Sequence, residues 1–329
     1  MKNCLRIAFA YLAAVIGAGF ASGSETVNYF LVHGKISFAG IILASAGFGF
    51  FSYILLYSCQ KAKCFSFYEL TKEIMPGYVC RITNTILFLF MLVLLGAMIS
   101  AFSYMLYEQT GTPKSAGAFL FSALCFLILI NDRNKIITIN GMLGIFIVFF
   151  ICLACIYMIN FRCVNVFRAA PVKMTVSSAV YTSYNTFSSA PLLCSMAKDL
   201  ESRKECKAVG IISGSMCFFS LSLIWCIVSV YHGKIFLGEM PMLTIAMRHG
   251  PAFSVFYSFI IFISVLTSAV SNGFGLMCGS GCFKIPGALR LILILFTGIF
   301  IASFGFDTIV NKLYAAAGIA SIIFPFYLF

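Results

Sequence analysis

Apolar runs long enough to cross a bilayer recur from one end of this 329-residue chain to the other, and that recurrence limits the fold more than any other feature. In hydrocarbon every backbone N–H and C=O must find its partner inside the protein, so only helices and closed barrels can span. A barrel needs segments of about ten residues with alternating polarity, and none is visible here. Hydrophobic residues make up 61% of the chain and charged residues 10%, with a mean hydropathy of +1.03. Such a composition leaves no room for a sizeable soluble domain. The expected class is an all-α polytopic membrane protein. Ten spans are read at roughly 5–31, 36–58, 84–108, 115–131, 139–159, 174–197, 208–231, 252–278, 286–304 and 307–328. The connection at 60–82 mixes Phe65, Phe67, Tyr68 and Leu70 with Lys61, Lys63, Glu69, Lys72 and Glu73, which predicts a short amphipathic helix at the interface. Lys2 and Arg6 precede the first apolar stretch as in a signal peptide. The stretch runs on without a small-residue cleavage site, so it is read as the first span.

The net charge of +12 does not point to nucleic acid, because no basic run is interleaved with exposed aromatics. The Lys and Arg residues sit in short connections instead. Placing the N-terminus inside puts the majority of them, from Lys2 and Arg6 to Lys284 and Arg290, on the cytoplasmic side. Lys35, Lys114, Arg162, Arg168, Lys173, Lys234, Arg248 and Lys312 fall outside, and with ten spans the C-terminus is also inside. The expected setting is the plasma membrane, with lipid as the surrounding partner. Most of the 14 cysteines lie within apolar runs, where Cys acts as a small hydrophobe. Cys152 and Cys155 have redox or zinc spacing but no second pair, and His33, His232 and His249 are scattered, so no metal centre or disulfide scaffold is expected.

Two spans are abnormal. The first is interrupted by Val15-Ile16-Gly17-Ala18-Gly19-Phe20-Ala21-Ser22-Gly23-Ser24-Glu25. Small residues there can serve close helix packing, and Gly19-x-x-x-Gly23 fits that use. They equally suit a helix that breaks in mid-membrane and exposes backbone groups to a solute. Glu25 favours the second use, since a carboxylate in an apolar span costs roughly 2.5–3.5 kcal/mol even on the lenient scale. The sixth span carries the polar run from Ser177 to Ser189, followed by Pro191, and reads as the wall of a polar cavity, the alternative being a polar interfacial helix or re-entrant turn. Spans one and six lie five apart. An odd number of spans per half inverts the second half, so the two segments occupy matching places in inverted repeats, 1–160 and 161–329. In span eight, Ser264, Thr267, Ser268 and Ser271 share one helical face, and a Thr-Ser hydroxyl pair suits a small hard cation. The same hydroxyls can also bond back to their own helix.

The run Val15–Phe20, with Ala21-Ser22-Gly23 and Glu25, resembles the opening of the YkvI-type bacterial membrane proteins. These are similar to the amino acid–polyamine–organocation superfamily with its LeuT-like fold. The resemblance extends over the whole chain in layout and more weakly to Tyr184-Asn185 and Thr267-Ser268. It implies ten core helices as two inverted five-helix repeats, with helices one and six broken. Gly17-Ala18-Gly19 matches the break. The sodium site implied uses the carbonyls of Ala13, Ile16 and Ser264 and the hydroxyls of Thr267 and Ser268. Phe20 stands where two-sodium members carry an asparagine, which argues against a second sodium. Span five lacks the membrane-depth lysine of proton-coupled relatives, which favours sodium.

The expected function is therefore sodium-coupled symport of an amino acid or similar small zwitterion by alternating access, with no other cofactor and no enzymatic activity. The alternative is a non-transporting solute sensor related to spore-germinant receptor subunits. The solute's anionic group is expected at Gly17, Ala18 and Gly19, with Ser22 nearby. Tyr181, Ser183, Tyr184, Asn185 and Phe187 are expected to complete the pocket from span six. Glu25 and Lys312 are expected to form an outer gate, unless Glu25 caps the outer half-helix.

Overall fold

The computed structural model describes residues 2–131, 133–158, 171–233, 238–281, 285–314 and 321. Among these residues the secondary structure is helical throughout, with no strand. The order is α1 (Lys2–Val15), α2 (Ala18–Ser22), α3 (Ser37–Ala62), α4 (Phe67–Ile74), α5 (Gly77–Thr110), α6 (Lys114–Leu129) and α7 (Arg133–Met158), then α8 (Pro171–Met196), α9 (Arg203–Tyr231), α10 (Pro241–Arg248), α11 (Pro251–Gly279), α12 (Gly287–Ala302) and α13 (Phe306–Thr308). Five of the described helices are each long and apolar enough to cross a membrane: α3, α5, Thr138–Met158 of α7, α9 and α11. Shorter apolar helices at Asn3–Val15, α6 and α12 coincide with expected spans one, four and nine. Span ten begins with α13 and a π-helical turn at Ile309–Leu313, and most of its remainder lies outside the described residues. The expected boundary between halves, 160/161, lies outside them as well. The amphipathic connection holds the short helix α4, which buries Phe67, Leu70 and Thr71.

The first span breaks where the glycines stand. The last α1 bond runs from Ile16 N–H to the Leu12 carbonyl (2.7 Å), and Gly17 is extended at φ −91°, ψ −164°. The chain resumes as α2, turns at Gly23 (φ 78°), and continues as π-helix over Thr26–Phe30 and 3-10 helix over Leu31–Ile36. Glycine is the residue that adopts the left-handed conformation at Gly23 without strain.

The sixth span differs from expectation. It is one helix from Pro171 to Met196, with Pro191 inside it, and shows no break. Its polar run is satisfied locally instead. Ser178 donates to the Met174 carbonyl, Thr182 to that of Ser178, Asn185 Nδ2 to that of Tyr181, and Ser188 and Ser189 to that of Asn185. Side chains that bond back one turn let a polar sequence stay helical at depth. The residues from Val180 to Met196 are also buried on every side, which removes the lipid contact they could not tolerate.

Helices five spans apart pack on one another: α1 on α8, α3 on α9, α5 on α11. The α3–α9 pair meets through its backbones. A Cβ on Gly49 would stand 2.7 Å from the Gly210 carbonyl oxygen, and one on Gly210 would stand 2.5 Å from that of Gly49. Apolar attraction between helices is weak in lipid, so direct backbone approach of this kind supplies much of the packing. The cysteines of the described residues are free thiols, Cys152 and Cys155 included, and His33, His232 and His249 belong to no cluster of metal-ligating side chains among those residues. Gly210→Leu is expected to lower the melting temperature of the detergent-purified protein, with overpacking costing about 1–3 kcal/mol or more. Gly77→Leu, where a Cβ meets nothing within 4 Å, serves as the control that keeps the wild-type value. Equal melting of the two variants would show that α3 and α9 do not touch through their backbones.

Candidate functional site

The break in the first span lies against α11. The Thr267 hydroxyl stands 3.1 Å from the Ala13 carbonyl oxygen, 3.1 Å from that of Ile263 and 3.0 Å from that of Ser264. The Ser268 hydroxyl is 3.3 Å from the Ala13 oxygen and 3.2 Å from that of Ala14. A Cβ on Gly17 would come within 3.1 Å of Ser268 Oγ and 3.2 Å of Met98 Cε, so the extended residue packs tightly beside this hydroxyl. Four of the five residues expected around the cation, Ala13, Ser264, Thr267 and Ser268, therefore meet in one place, and Ile16 flanks them at the break. One hydroxyl proton cannot serve three carbonyls at once. The surplus of oxygen lone pairs here is the donor set a hard cation takes. Asn140 on α7 adds a layer behind it, donating to Ser271 Oγ (2.8 Å), whose hydroxyl in turn bonds the Thr267 carbonyl (2.8 Å).

Across the break from α11 stands the buried face of α8. Tyr181 and Tyr184 turn toward the Glu25 carboxyl. Their rings pack at 5.6 Å between centroids, and Tyr29 lies 5.4 Å from Tyr181 and 5.6 Å from Tyr184. Tyr314, from the start of the tenth span, packs on Tyr184 at 5.4 Å, while Phe30, Phe48 and Phe90 close the outside of the cluster. Glu25 is 4% exposed and folds back on α2, where a Cβ on Gly19 would collide with its Oε1. Its carboxyl thus stands over the backbone that the sequence reading offers to the solute's anionic group. Ser22 bonds the Gly19 carbonyl and Ser24. Ser183 and Asn185 are buried on α8, with Asn185 turned to its own helix, and Phe187 packs 6.0 Å from Phe67 on the α4 side, away from the tyrosines. Lys312 belongs to the π-helical turn two residues before Tyr314, but its side chain lies outside the described residues.

Four contributors go unread in the sequence. Tyr29 and Tyr314 look like ordinary interfacial aromatics there, and only the fold brings them to Tyr184. Tyr257, fully buried in α11, donates to the Ala21 carbonyl (2.8 Å) and so pins α2. Asn140 did carry a signal, being an amide inside an apolar run.

No protein-family model matches the chain. It is 24% identical over 325 residues to the uncharacterized membrane protein YkvI of Bacillus subtilis (strain 168), an alignment covering 97% of this chain and 93% of that protein. It is 23% identical over 319 residues to the uncharacterized protein YyaD of the same organism, covering 94% and 91%. Among solved structures it is similar to a Na+-coupled sialic acid symporter in its substrate-bound outward-open state, with a TM-score of 0.70 at 13% identity over 99% of this chain and 78% of that one. MhsT in complex with L-phenylalanine gives 0.64 at 12% identity, covering 98% and 87%. Mhp1, a nucleobase-cation-symport-1 family transporter, gives 0.65 at 13%, covering 98% and 76%. At such identities the likeness shows the fold: this is a multi-pass membrane protein with the LeuT-type fold, and these structural neighbours are transporters rather than enzymes. Tyr257→Phe leaves a buried carbonyl at Ala21 without its donor and is expected to cost about 1–3 kcal/mol, read as a lowered melting temperature. Tyr157→Phe, at an exposed ring, is the control. Identical melting would show that α2 is held by other contacts.

Proposed function

We propose that this chain is a sodium-coupled secondary transporter that carries an amino acid or a similar small zwitterion by alternating access. The observation that carries the reading is the meeting of the helix break with Thr267 and Ser268, where five oxygens from α1 and α11 converge. A cation held there joins the broken helix to α11, so binding it and binding a solute beside the break become one linked event. The site residues divide into two roles. Ala13, Ile16, Ser264, Thr267 and Ser268 hold the ion, and the region between α2 and the Tyr181–Tyr184 face of α8 holds the solute. With the N-terminus inside, Arg6 lies near the inner end of α1 and forms an ion pair with Asp199 just beyond α8 (2.7 Å). That contact ties the inner ends of the two helices that flank the solute region. Alternating access is then a rocking of spans one, two, six and seven against the remainder.

Uptake of labelled amino acids into proteoliposomes tests the reading. Uptake is expected to follow an inward sodium gradient and to lose its sodium dependence in Thr267→Ala/Ser268→Ala, with the variant still folded. Equal uptake by the wild type in potassium would remove sodium as the coupling ion. Solute binding without flux would make the chain a sensor.

A further inference from the structure

The tyrosine cluster around Glu25 has a property that ion coupling does not use. Four polar atoms on buried side chains here have no hydrogen bond of good geometry among the described residues: Glu25 Oε2 and the hydroxyl oxygens of Tyr181, Tyr184 and Tyr314, although Tyr181 and Tyr184 face the Glu25 carboxyl. Buried polar groups are nearly always satisfied, so a cluster of orphans in one place calls for a missing partner. The sequence limits what that partner is. Glu25 is the one carboxylate of its segment, and there is no Lys or Arg between residues 7 and 34, between 174 and 197, or between 251 and 283; the segment of Tyr314 holds Lys312, whose side chain lies outside the described residues. Among the described residues the carboxyl has no ion pair. A buried carboxylate without counter-charge is costly, and breaking or omitting its partner is the expensive case.

A positive group that donates would satisfy all four atoms, because a carboxylate oxygen only accepts and the phenol oxygens have lone pairs free. Its surroundings are aromatic. Tyr29, Tyr181, Tyr184 and Tyr314 pack edge and face within 5.4–5.6 Å of one another in successive pairs. Ring walls of this kind attract organic cations through their quadrupoles. A bare hard ion seeks a shell of oxygens, which this chain offers without ring walls at Thr267 and Ser268, and the sodium arm of the test below separates the two kinds of cation. A primary ammonium meets every requirement: one positive charge, three N–H donors, and a compact head that rings can surround. The same sequence limits apply to a solute carboxylate, which finds no Lys or Arg in the first three of these segments and meets Glu25 over Gly19.

We propose that Glu25, with Tyr181, Tyr184 and Tyr314, forms a subsite for a primary ammonium group, so that the solute class is amines and a carboxylate on the solute is dispensable. The subsite rests on the reading of the α2–α8 region as the solute site. It does not depend on flux or on the coupling ion.

The test is a binding experiment on the full-length protein in detergent, separate from transport. The probes are n-butylammonium, its uncharged isostere n-butanol, butyrate, and sodium alone, with binding read as thermal stabilisation and by isothermal titration. The ammonium is expected to bind, and butanol and butyrate are not. Glu25→Gln, which keeps the shape and removes the charge, is expected to weaken ammonium binding at least about tenfold (roughly 1.4 kcal/mol). Tyr184→Phe is expected to weaken it less while keeping the ring. Both variants are first required to elute and melt as folded protein, and if Glu25→Gln does not, Tyr184→Phe with Tyr314→Phe carries the comparison. Three results overturn the subsite: no binding of the ammonium, binding of butanol equal to it, or undiminished affinity in the variants. Stabilisation by sodium alone that disappears in Glu25→Gln, with no ammonium effect, also overturns it and assigns the carboxyl to the ion. If the ammonium binds but proteoliposomes take up no amine, the transport reading fails and the subsite stands. If other solutes are taken up and amines neither bind nor compete, the subsite fails and the transport reading stands.

Discussion

The rest of the structure depends on one constraint: a helix that breaks inside a bilayer must hand its freed backbone groups to protein, because lipid offers them nothing. Here the α1 break is covered on one side by α11, where Thr267 and Ser268 reach the Ala13 and Ala14 carbonyls, and on another by Tyr257, which reaches Ala21. The helices around it are arranged to make that cover possible. Backbone contact between α3 and α9 through Gly49 and Gly210 draws one layer together, and α5 packs on α11 in the other. A site for a solute or ion is what remains when such cover is nearly, but not wholly, complete.

The two halves of the site solve their electrostatics in opposite ways. At α11 the chain assembles neutral oxygens in excess, which costs little when empty because each hydroxyl can bond a carbonyl. At Glu25 it places a carboxyl among aromatic rings with no ion pair among the described residues. The first arrangement suits a small ion that comes and goes. The second is more demanding, since burying one charge alone is costly, and it gives a positive ligand a large differential advantage in that state. A ligand shifts a conformational equilibrium only by such differential affinity.

The sequence carried the broken first span in full. Its glycines alone fit close helix packing as well as a break, Glu25 in the same run favours the break, and the interruption falls at Ile16–Gly17 with a second turn at Gly23. It carried the Thr267–Ser268 pair, because hydroxyls on one face of an apolar helix need acceptors. The sixth span shows the limit of the same logic. Its serines, threonines and asparagine, together with Pro191, read as a second break, yet they bond back to their own carbonyls and the helix runs through. Composition reports that such groups need partners; it does not report whether the partners lie one turn back or across a cavity.

What the sequence determined by itself is the class, the approximate spans and the place of the break, because these follow from local hydropathy and from glycine's backbone freedom. What only the tertiary structure decided is which distant residues complete the site. Tyr29 and Tyr314 lie far from Tyr181 and Tyr184 along the chain, and nothing in their local sequence separates them from the other tyrosines of the chain. They meet because helices that pack through small residues bring together side chains whose separation in sequence is unrelated to their separation in space. For Glu25 the sequence left open an outer gate with Lys312 and a cap on the outer half-helix. The turn at Gly23 is what folds it back over Gly19 and buries it.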